Sequence, residues 1–366
     1  MRNAPFPSPI ARPFTRRALL RRFGALALAA AGTSGMALLT GCNGPELAER
    51  LTGQADAKPY GSSTFAFDTY CTFTVYGDSA APAKLAKACA RYDKLFNLYD
   101  DASDIARINA AEGASVAVDA ATADLVSRAL GFCERADGLF DITIGAVSTL
   151  WDFDAHTRPT DEQIAAALPH VGWRGVAVDM DASTVTLADP LAKLDLGAIA
   201  KGYVADRLCD LLEQETDATG AAISLGGNIA YFGEKPGGGT WETGIRDPNE
   251  PGGSKTVASA HVTGGSLVTS GLYERTFEQD GVTYWHILDP RTGMPVETDV
   301  ASDTVACPSS TEADALSTTL FVAGSAEGSK IVDTYSDSAA YFILQDGSVA
   351  ESSRWDELTG AYSRIH

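Results

Sequence analysis

The sequence predicts an α+β fold of mixed, mainly antiparallel sheets with helices packed on them. Three observations carry that expectation. Strand-like and helix-like stretches are intermixed, without the strict strand–helix–strand rhythm of a parallel sheet. Asp280-Gly281 and Asp346-Gly347 each stand between β-prone runs, which is the signature of a tight hairpin and so of antiparallel pairing. Hydrophobic residues make up 45% and charged residues 21% of 366 residues, enough apolar surface for a substantial core, and no repeat of fixed period divides the chain.

The chain opens with an export signal. Thr15 to Arg21 is a twin-arginine-like basic region, Phe23 to Leu39 is apolar and Ala-rich, and Leu39-Thr40-Gly41-Cys42 resembles a bacterial lipoprotein box. Residues 1–41 therefore read as a signal peptide and Cys42 as the lipidated residue. The mature chain would be held at the cell membrane on its extracytoplasmic side. Residues 42–63 are polar, with Gly, Pro and Lys, and read as a tether. The globular domain is expected over 64–366.

Thr64 to Tyr76 is a β run interrupted at Asp68-Thr69. Ala83 to Leu98 has apolar residues three or four apart and predicts a helix. The polar turn 99–104 suits a cap for a short helix over Ile105 to Asn109, and Ala120 to Ala136 predicts another helix, stopped by Asp137-Gly138. A loop with a short helix follows over 152–170, then strands between Gly175 and Leu196. Ala221 to Asn228 reads as a strand entering a Gly turn and Trp241 to Pro248 as a strand ending in Pro, with Val257 to Val268 and Arg275 to Leu288 as further strands. Thr311 to Ala323 reads as a helix, and 339–344 with 348–351 as a hairpin.

The formal net charge is -20, and removing residues 1–41 leaves 22 basic against 48 acidic residues. Such a body repels nucleic acid, so no nucleic-acid partner is expected. Five cysteines remain besides Cys42, none in a C-x-x-C pair, so neither a zinc site nor a thioredoxin-type motif is indicated. One disulfide is possible, with no pairing assignable.

Three stretches carry candidate chemistry. Lys193-Leu194-Asp195-Leu196 alternates like a short strand, Gly197 to Gly202 is a turn of small residues, and Tyr203 to Leu212 is an amphipathic helix. Free backbone N–H groups at such a corner can seat a phosphate, and Lys201 adds positive charge. The plainer reading is a tightly packed corner with an exposed lysine. Asp314 and Thr318 lie at i and i+4 on one helical face, a pair suited to a hard cation such as Mg²⁺. A capping Asp and a Thr bonded to its own backbone would give the same spacing. His286, at the end of a strand, has an intrinsic pKa suited to a general base, or is hydrogen-bonded into the structure.

Seven motifs in order resemble the ApbE family of flavin transferases: Ala136 to Gly145 with Leu150-Trp151-Asp152-Phe153, Asp195 to Tyr203, Ser224 to Asn228, Gly244 to Pro248, Ser270 to Arg275, His286 to Gly293, and Ala313 to Thr319. The resemblance implies a T-fold-related catalytic domain that binds Mg²⁺ and FAD. It would transfer FMN from FAD to a Thr or Ser hydroxyl of a target redox protein and release AMP. Targets would be subunits of quinone reductase or Rnf type, or extracellular flavoprotein reductases. The implied FAD contacts are Phe67, Tyr99, Leu139, Phe140, Asp141, Asp195, Lys201 and Leu288, with Tyr99 and Phe140 as candidates to pack on flavin or adenine rings. The implied metal ligands are the Ala198 carbonyl, Asp314 and Thr318, and His286 or Asp314 would accept the hydroxyl proton. Phe67-Asp68-Thr69 departs from the family's usual Met-Gly-Thr, as does the turn after Tyr99. The same residues would serve a Mg-dependent FAD pyrophosphatase or a non-catalytic flavin-binding lipoprotein.

Overall fold

The computed structural model describes residues 58–250 and 255–360. The expected signal peptide, Cys42 and the tether up to residue 57 lie outside the described residues. The first strand, β1 (Tyr60–Ala66), begins four residues inside the segment expected as tether. It pairs antiparallel with β2 (Thr69–Tyr76). The interruption expected in one long strand is thus a two-residue hairpin turn, Phe67-Asp68, with both residues at positive φ (53° and 55°).

Helix α1 (Ala81–Phe96) has a proline in its first turn and buries Leu85, Cys89 and Phe96 on one side. Ser103 caps α2 (Asp104–Asn109) by accepting the Ala106 N–H at 2.9 Å. The short β3 (Val116–Ala117) precedes α3 (Ala120–Arg135), which ends where Asp137 and Gly138 turn to positive φ. Then come α4 (Gly145–Ser148) and α5 (Asp161–Ala167), the latter with a capping box between Thr160 and Gln163. Strands β4 (Val176–Asp179) and β5 (Thr184–Leu187) form a small antiparallel sheet with β3. Helix α6 (Ala200–Glu215) follows.

The central antiparallel sheet continues through β6 (Gly220–Leu225) and β7 (Asn228–Gly233). The hairpin β8 (Trp241–Arg246) and β9 (Thr256–Val262) leaves it, and β10 (Gly265–Gly271) returns to it. The Asp280-Gly281 turn joins β11 (Thr276–Gln279) to β12 (Val282–Trp285). The sheet is completed by β13 (Val300–Cys307), β14 (Ala339–Leu344) and β15 (Val349–Glu351), with α7 (Ser310–Ala323), α8 (Ser325–Val332) and α9 (Trp355–Thr359) between and after them. Its eight strands run in the order β1-β2-β6-β7-β10-β13-β14-β15.

The α+β expectation holds, and the fold is a single domain. Alternation along the strands sends Cys71, Phe73, Ile223 and Leu225 to a core shared with α1 and α6. Val268, Val305 and Phe342 face α7 in the adjoining core. The opposite face, with Leu267, Ala306 and Tyr341, is covered by β8, β9 and Trp355 of α9.

Two sequence expectations are corrected. Lys193 to Leu196 is not a ladder strand, because the Asn109 side chain supplies the pairing. Its amide donates to the Leu194 carbonyl at 2.9 Å and accepts the Leu194 N–H at 2.6 Å. The polar stretch Ser302-Asp303-Thr304 was not expected as strand, yet it lies inside β13 between β10 and β14.

Candidate active site at the corner of two helices

Helices α6 and α7 meet at Gly202. A Cβ there would fall 2.2 Å from the Ser310 carbonyl oxygen and 2.6 Å from Asp314 Cβ, so only glycine permits this approach. The Gly202 N–H donates to Asp314 Oδ2 at 2.8 Å. Gly202 is the third residue of α6, so its N–H has no acceptor within the helix and is one of the free donors of the helix start. On either side, Ala200 N–H bonds the Leu196 carbonyl and Tyr203 N–H the Ile199 carbonyl. The Ala198 carbonyl is left without a backbone donor among the described residues.

Neither plainer reading of the α7 pair is realised. Ser309 caps α7, accepting from Glu312 N–H, so Asp314 is not the cap. Ser317 bonds the Asp314 carbonyl at 3.0 Å and Thr319 the Ala315 carbonyl at 2.7 Å, whereas the Thr318 hydroxyl makes no hydrogen bond among the described residues. Asp314 is 4% exposed, and burial raises its pKa against the pull of Lys201 and the Gly202 N–H. The corner thus offers one buried carboxylate, one free hydroxyl and one free carbonyl. This all-oxygen set fits a hard divalent cation that keeps positions open for substrate. No group of three or more His, Cys, Asp or Glu that could hold a metal occurs among the described residues.

Asp206, on the second turn of α6, fixes this geometry. Its carboxylate accepts from Ser309 Oγ (2.8 Å), Ser310 N (2.8 Å), Thr311 N (2.9 Å) and Thr311 Oγ1 (2.6 Å), collecting the free donors at the start of α7.

Asp195 accepts Ser148 Oγ at 2.7 Å and the Gly197 N–H at 2.9 Å, which folds the loop carrying Ala198. Lys201 Nζ donates back to the Gly197 carbonyl at 3.1 Å. Asp141 accepts Thr143 N and Oγ1 within its own turn and the Trp173 N–H from 32 positions further on. The Asp195 N–H bonds the Ile142 carbonyl at 2.8 Å, which sets the 139–142 segment beside the loop. Leu139 is half-buried, but Phe140 is only 3% exposed and belongs to the core. Its ring is therefore not presented for stacking. Tyr99 is 70% exposed, with Asp195, Arg275, Asp68 and Asp152 all acting on its phenol, so this ring is presented. Phe67 is half-buried, its N–H held by Asp93 Oδ1 at 2.8 Å.

His286 and Leu288 arrive on a turn clamped by Asp289. Its carbonyl accepts from Thr292 and Gly293, and its carboxylate holds the Arg291 backbone and guanidinium. Burial, reinforced by Lys201 and Arg275, pushes the His286 imidazole down to about 4. His286 is therefore neutral at neutral pH, and its Nδ1 is buried without a partner. The sequence reading assigned no role to Gly202, Asp206, Ser148 or Arg275. Gly202 alone had a signal, the small residue at the end of the glycine corner.

A glycine corner and a helix N-terminus, packed against the oxygen-bearing face of a second helix, thus lie together within a mixed α+β domain. The ApbE family pattern matches residues 67–342, and the chain belongs to that family. A protein of Treponema pallidum (strain Nichols) named FAD:protein FMN transferase is 37% identical, the match covering 82% of this chain and 88% of that one. One of Klebsiella pneumoniae (strain 342) with the same name is 34% identical, covering 79% and 91%. Among solved structures, the ApbE protein of Thermotoga maritima superposes with a TM-score of 0.76 at 32% identity, over 83% of this chain and all of that one. The apo flavinyl transferase ApbE of Pseudomonas stutzeri superposes with a TM-score of 0.72 at 27% identity, over 83% and 98%.

Proposed function

We propose that this protein is a Mg²⁺-dependent FAD:protein FMN transferase, acting outside the cytoplasm from a lipid anchor at Cys42. The transferase class follows from family membership and from relatives that carry that name. The observation that carries the finer reading is the Gly202–Asp314 bond, because it ties the loop end that bears the Ala198 carbonyl, without a backbone donor among the described residues, to the Asp314 turn of α7.

In this reading the Ala198 carbonyl, Asp314 and Thr318 would hold the cation. When bound, it would neutralise diphosphate charge and stabilise the AMP leaving group. Lys201, returned over the loop toward Gly197, adds positive charge for the same diphosphate. Tyr99 offers its exposed ring to a flavin or adenine face. The acceptor Thr or Ser oxygen attacks the flavin-side phosphorus, and the bond from that phosphorus to the AMP oxygen breaks. Neutral His286 takes the hydroxyl proton.

The test is the intact mass of a Thr-bearing acceptor after incubation with enzyme, FAD and Mg²⁺. Addition of one FMN, lost in Asp314→Ala while that variant keeps its fold, supports the proposal. FMN and AMP appearing equally without acceptor would make the enzyme a pyrophosphatase. Unchanged FAD would make it a binding protein.

A further inference from the structure

The first hairpin leaves one edge of the central sheet open. β1 stands first in the strand order and pairs with β2 in unbroken register, from Tyr60↔Val75 to Ala66↔Thr69. Among the described residues, no backbone group of β1 bonds the backbone of any segment other than β2. Alternate N–H and C=O groups along it therefore point outward unpaired. Proteins ordinarily blunt such an edge with charge, proline, a bulge or shortness. The opposite edge of this sheet is blunted: β15 has three residues and carries Glu351. β1 has seven residues, Tyr-Gly-Ser-Ser-Thr-Phe-Ala, without charge, proline or bulge.

Exposed aromatic rings stand at the end of this edge. Phe65 and Tyr70 face each other across the hairpin, on the side opposite the buried Cys71 and Phe73. Their ring centroids are 6.2 Å apart, edge to face, and the residues are 60% and 48% exposed. That end of β1 is the end of the sheet that carries the site. A Cβ on Gly226 would meet Thr69 Oγ1 at 3.0 Å, so the β1–β2 and β6–β7 turns are packed together. The Gly227 carbonyl accepts the Thr269 N–H at 2.9 Å. The next residue, Ser270, is hydrogen-bonded through Oγ to Ser317 Oγ at 2.9 Å, on the α7 turn between Asp314 and Thr318. Arg275 meets Asp68 of the hairpin turn at 3.7 Å.

We propose that the β1 edge and the Phe65–Tyr70 pair are the docking surface for the acceptor polypeptide, which adds an extended segment to the sheet beside β1 and so carries its Thr or Ser past the Phe67-Asp68 turn to the site. The proposal rests on the transferase reading above, in which the second substrate is a polypeptide that must be received beside the site. The seven residues of β1 offer about 20 Å of edge, enough to hold an extended segment by main-chain bonds. Those bonds supply affinity without reading sequence. Every second side chain of the segment falls on the Phe65–Tyr70 face, which favours an apolar residue near the acceptor hydroxyl.

The experiment uses the full-length enzyme in detergent with FAD and Mg²⁺. The probe is the soluble domain of a quinone-reductase-type subunit, with its acceptor threonine intact or replaced by valine. Hydrogen exchange of residues 60–66 is followed by mass spectrometry. Slower exchange there on adding the valine form supports docking without calling on transfer. Unchanged exchange there, while the threonine form still gains one FMN, overturns the docking and leaves the reaction standing. Slower exchange without FMN gain by the threonine form keeps the docking and sinks the reaction. Protection that needs no acceptor and grows with enzyme concentration would put a second copy on the edge, and overturns the proposal. Ser63 is exposed on the same face as Phe65. Ser63→Lys and Phe65→Ser should each raise KM for the acceptor at least roughly tenfold, with KM for FAD, kcat and melting temperature unchanged. An unchanged acceptor KM in both variants overturns the proposal.

Discussion

Gly202 donates its backbone N–H to the carboxylate of Asp314 at 2.8 Å, across 112 positions of sequence. This one bond joins the two helices that build the candidate site and satisfies one of the free donors at the start of α6. Packing and function therefore meet at a residue with no side chain.

Gly202→Ala should uncouple them. The added methyl would meet the Ser310 carbonyl oxygen at 2.2 Å, a backbone atom that cannot swing aside. The helices must part and the bond to Asp314 lengthens, which moves the Asp314 carboxylate away from the corner that carries Ala198. We expect a stability loss of about 1–3 kcal/mol in urea denaturation. We also expect a rise of at least roughly tenfold in the Mg²⁺ concentration for half-maximal transfer. An unchanged Mg²⁺ titration would separate this corner from the cation.

What the sequence made legible was local. Asp-Gly pairs announced two hairpins, and the i, i+4 spacing put Asp314 and Thr318 on one face before any fold was known. What it hid was long-range. Asp206 read as a solvent-facing helix residue, because nothing near it in sequence shows that it caps a helix starting 104 positions later. Ser302-Asp303-Thr304 went unassigned, because burial inside a sheet is decided by neighbours and not by these residues themselves. Phe140 read as a ring for stacking, and its 3% exposure shows a core residue instead.

Asp206→Ala tests the capping cluster. Four donors at the start of α7 lose their common acceptor, two of them backbone N–H groups. Bonds to a charged acceptor contribute roughly 1.5–3 kcal/mol each, but water reaches part of this half-buried end, so a net loss of about 2–4 kcal/mol is expected. Transfer should fall along with stability, and Asp206→Asn should recover part of both. Full activity in Asp206→Ala would show that α7 holds its place without the cap.

His286 gives a pH signature. Its folded pKa, about 4, lies below the unfolded value of 6.5. A histidine with a depressed pKa binds fewer protons when folded. Its contribution is present above pH 6.5 and is lost as pH falls toward 4. That loss amounts to on the order of 3 kcal/mol. His286→Gln should flatten the stability slope between pH 6.5 and 4 while nearly abolishing transfer. In the wild type, the acid limb of kcat/KM due to this group should lie near pH 4, not near 6.5. A limb at 6.5 that vanishes in His286→Gln would show an imidazole exposed to solvent.

Asp303 gives the opposite sign. It is 1% exposed on the α7-facing side of β13, opposite Ser270, and neither carboxylate oxygen has a hydrogen-bond partner. Burial raises its pKa well above the ordinary carboxylate value, partly countered by nearby backbone N–H groups of Ser270 and Asp303. The folded protein therefore holds this proton more tightly than the unfolded chain. The stabilisation is fully present below the unfolded pKa of about 4 and is lost as pH rises toward the folded value. At neutral pH the strand carries either a retained proton or an unpaired charge, so Asp303→Asn should stabilise the protein by about 1–4 kcal/mol. The gain should be larger at pH 8 than at pH 5, as read by denaturation midpoints at the two values. If Asp303→Asn instead destabilised the protein at pH 8, the carboxylate would have to be serving a partner that its present surroundings do not supply.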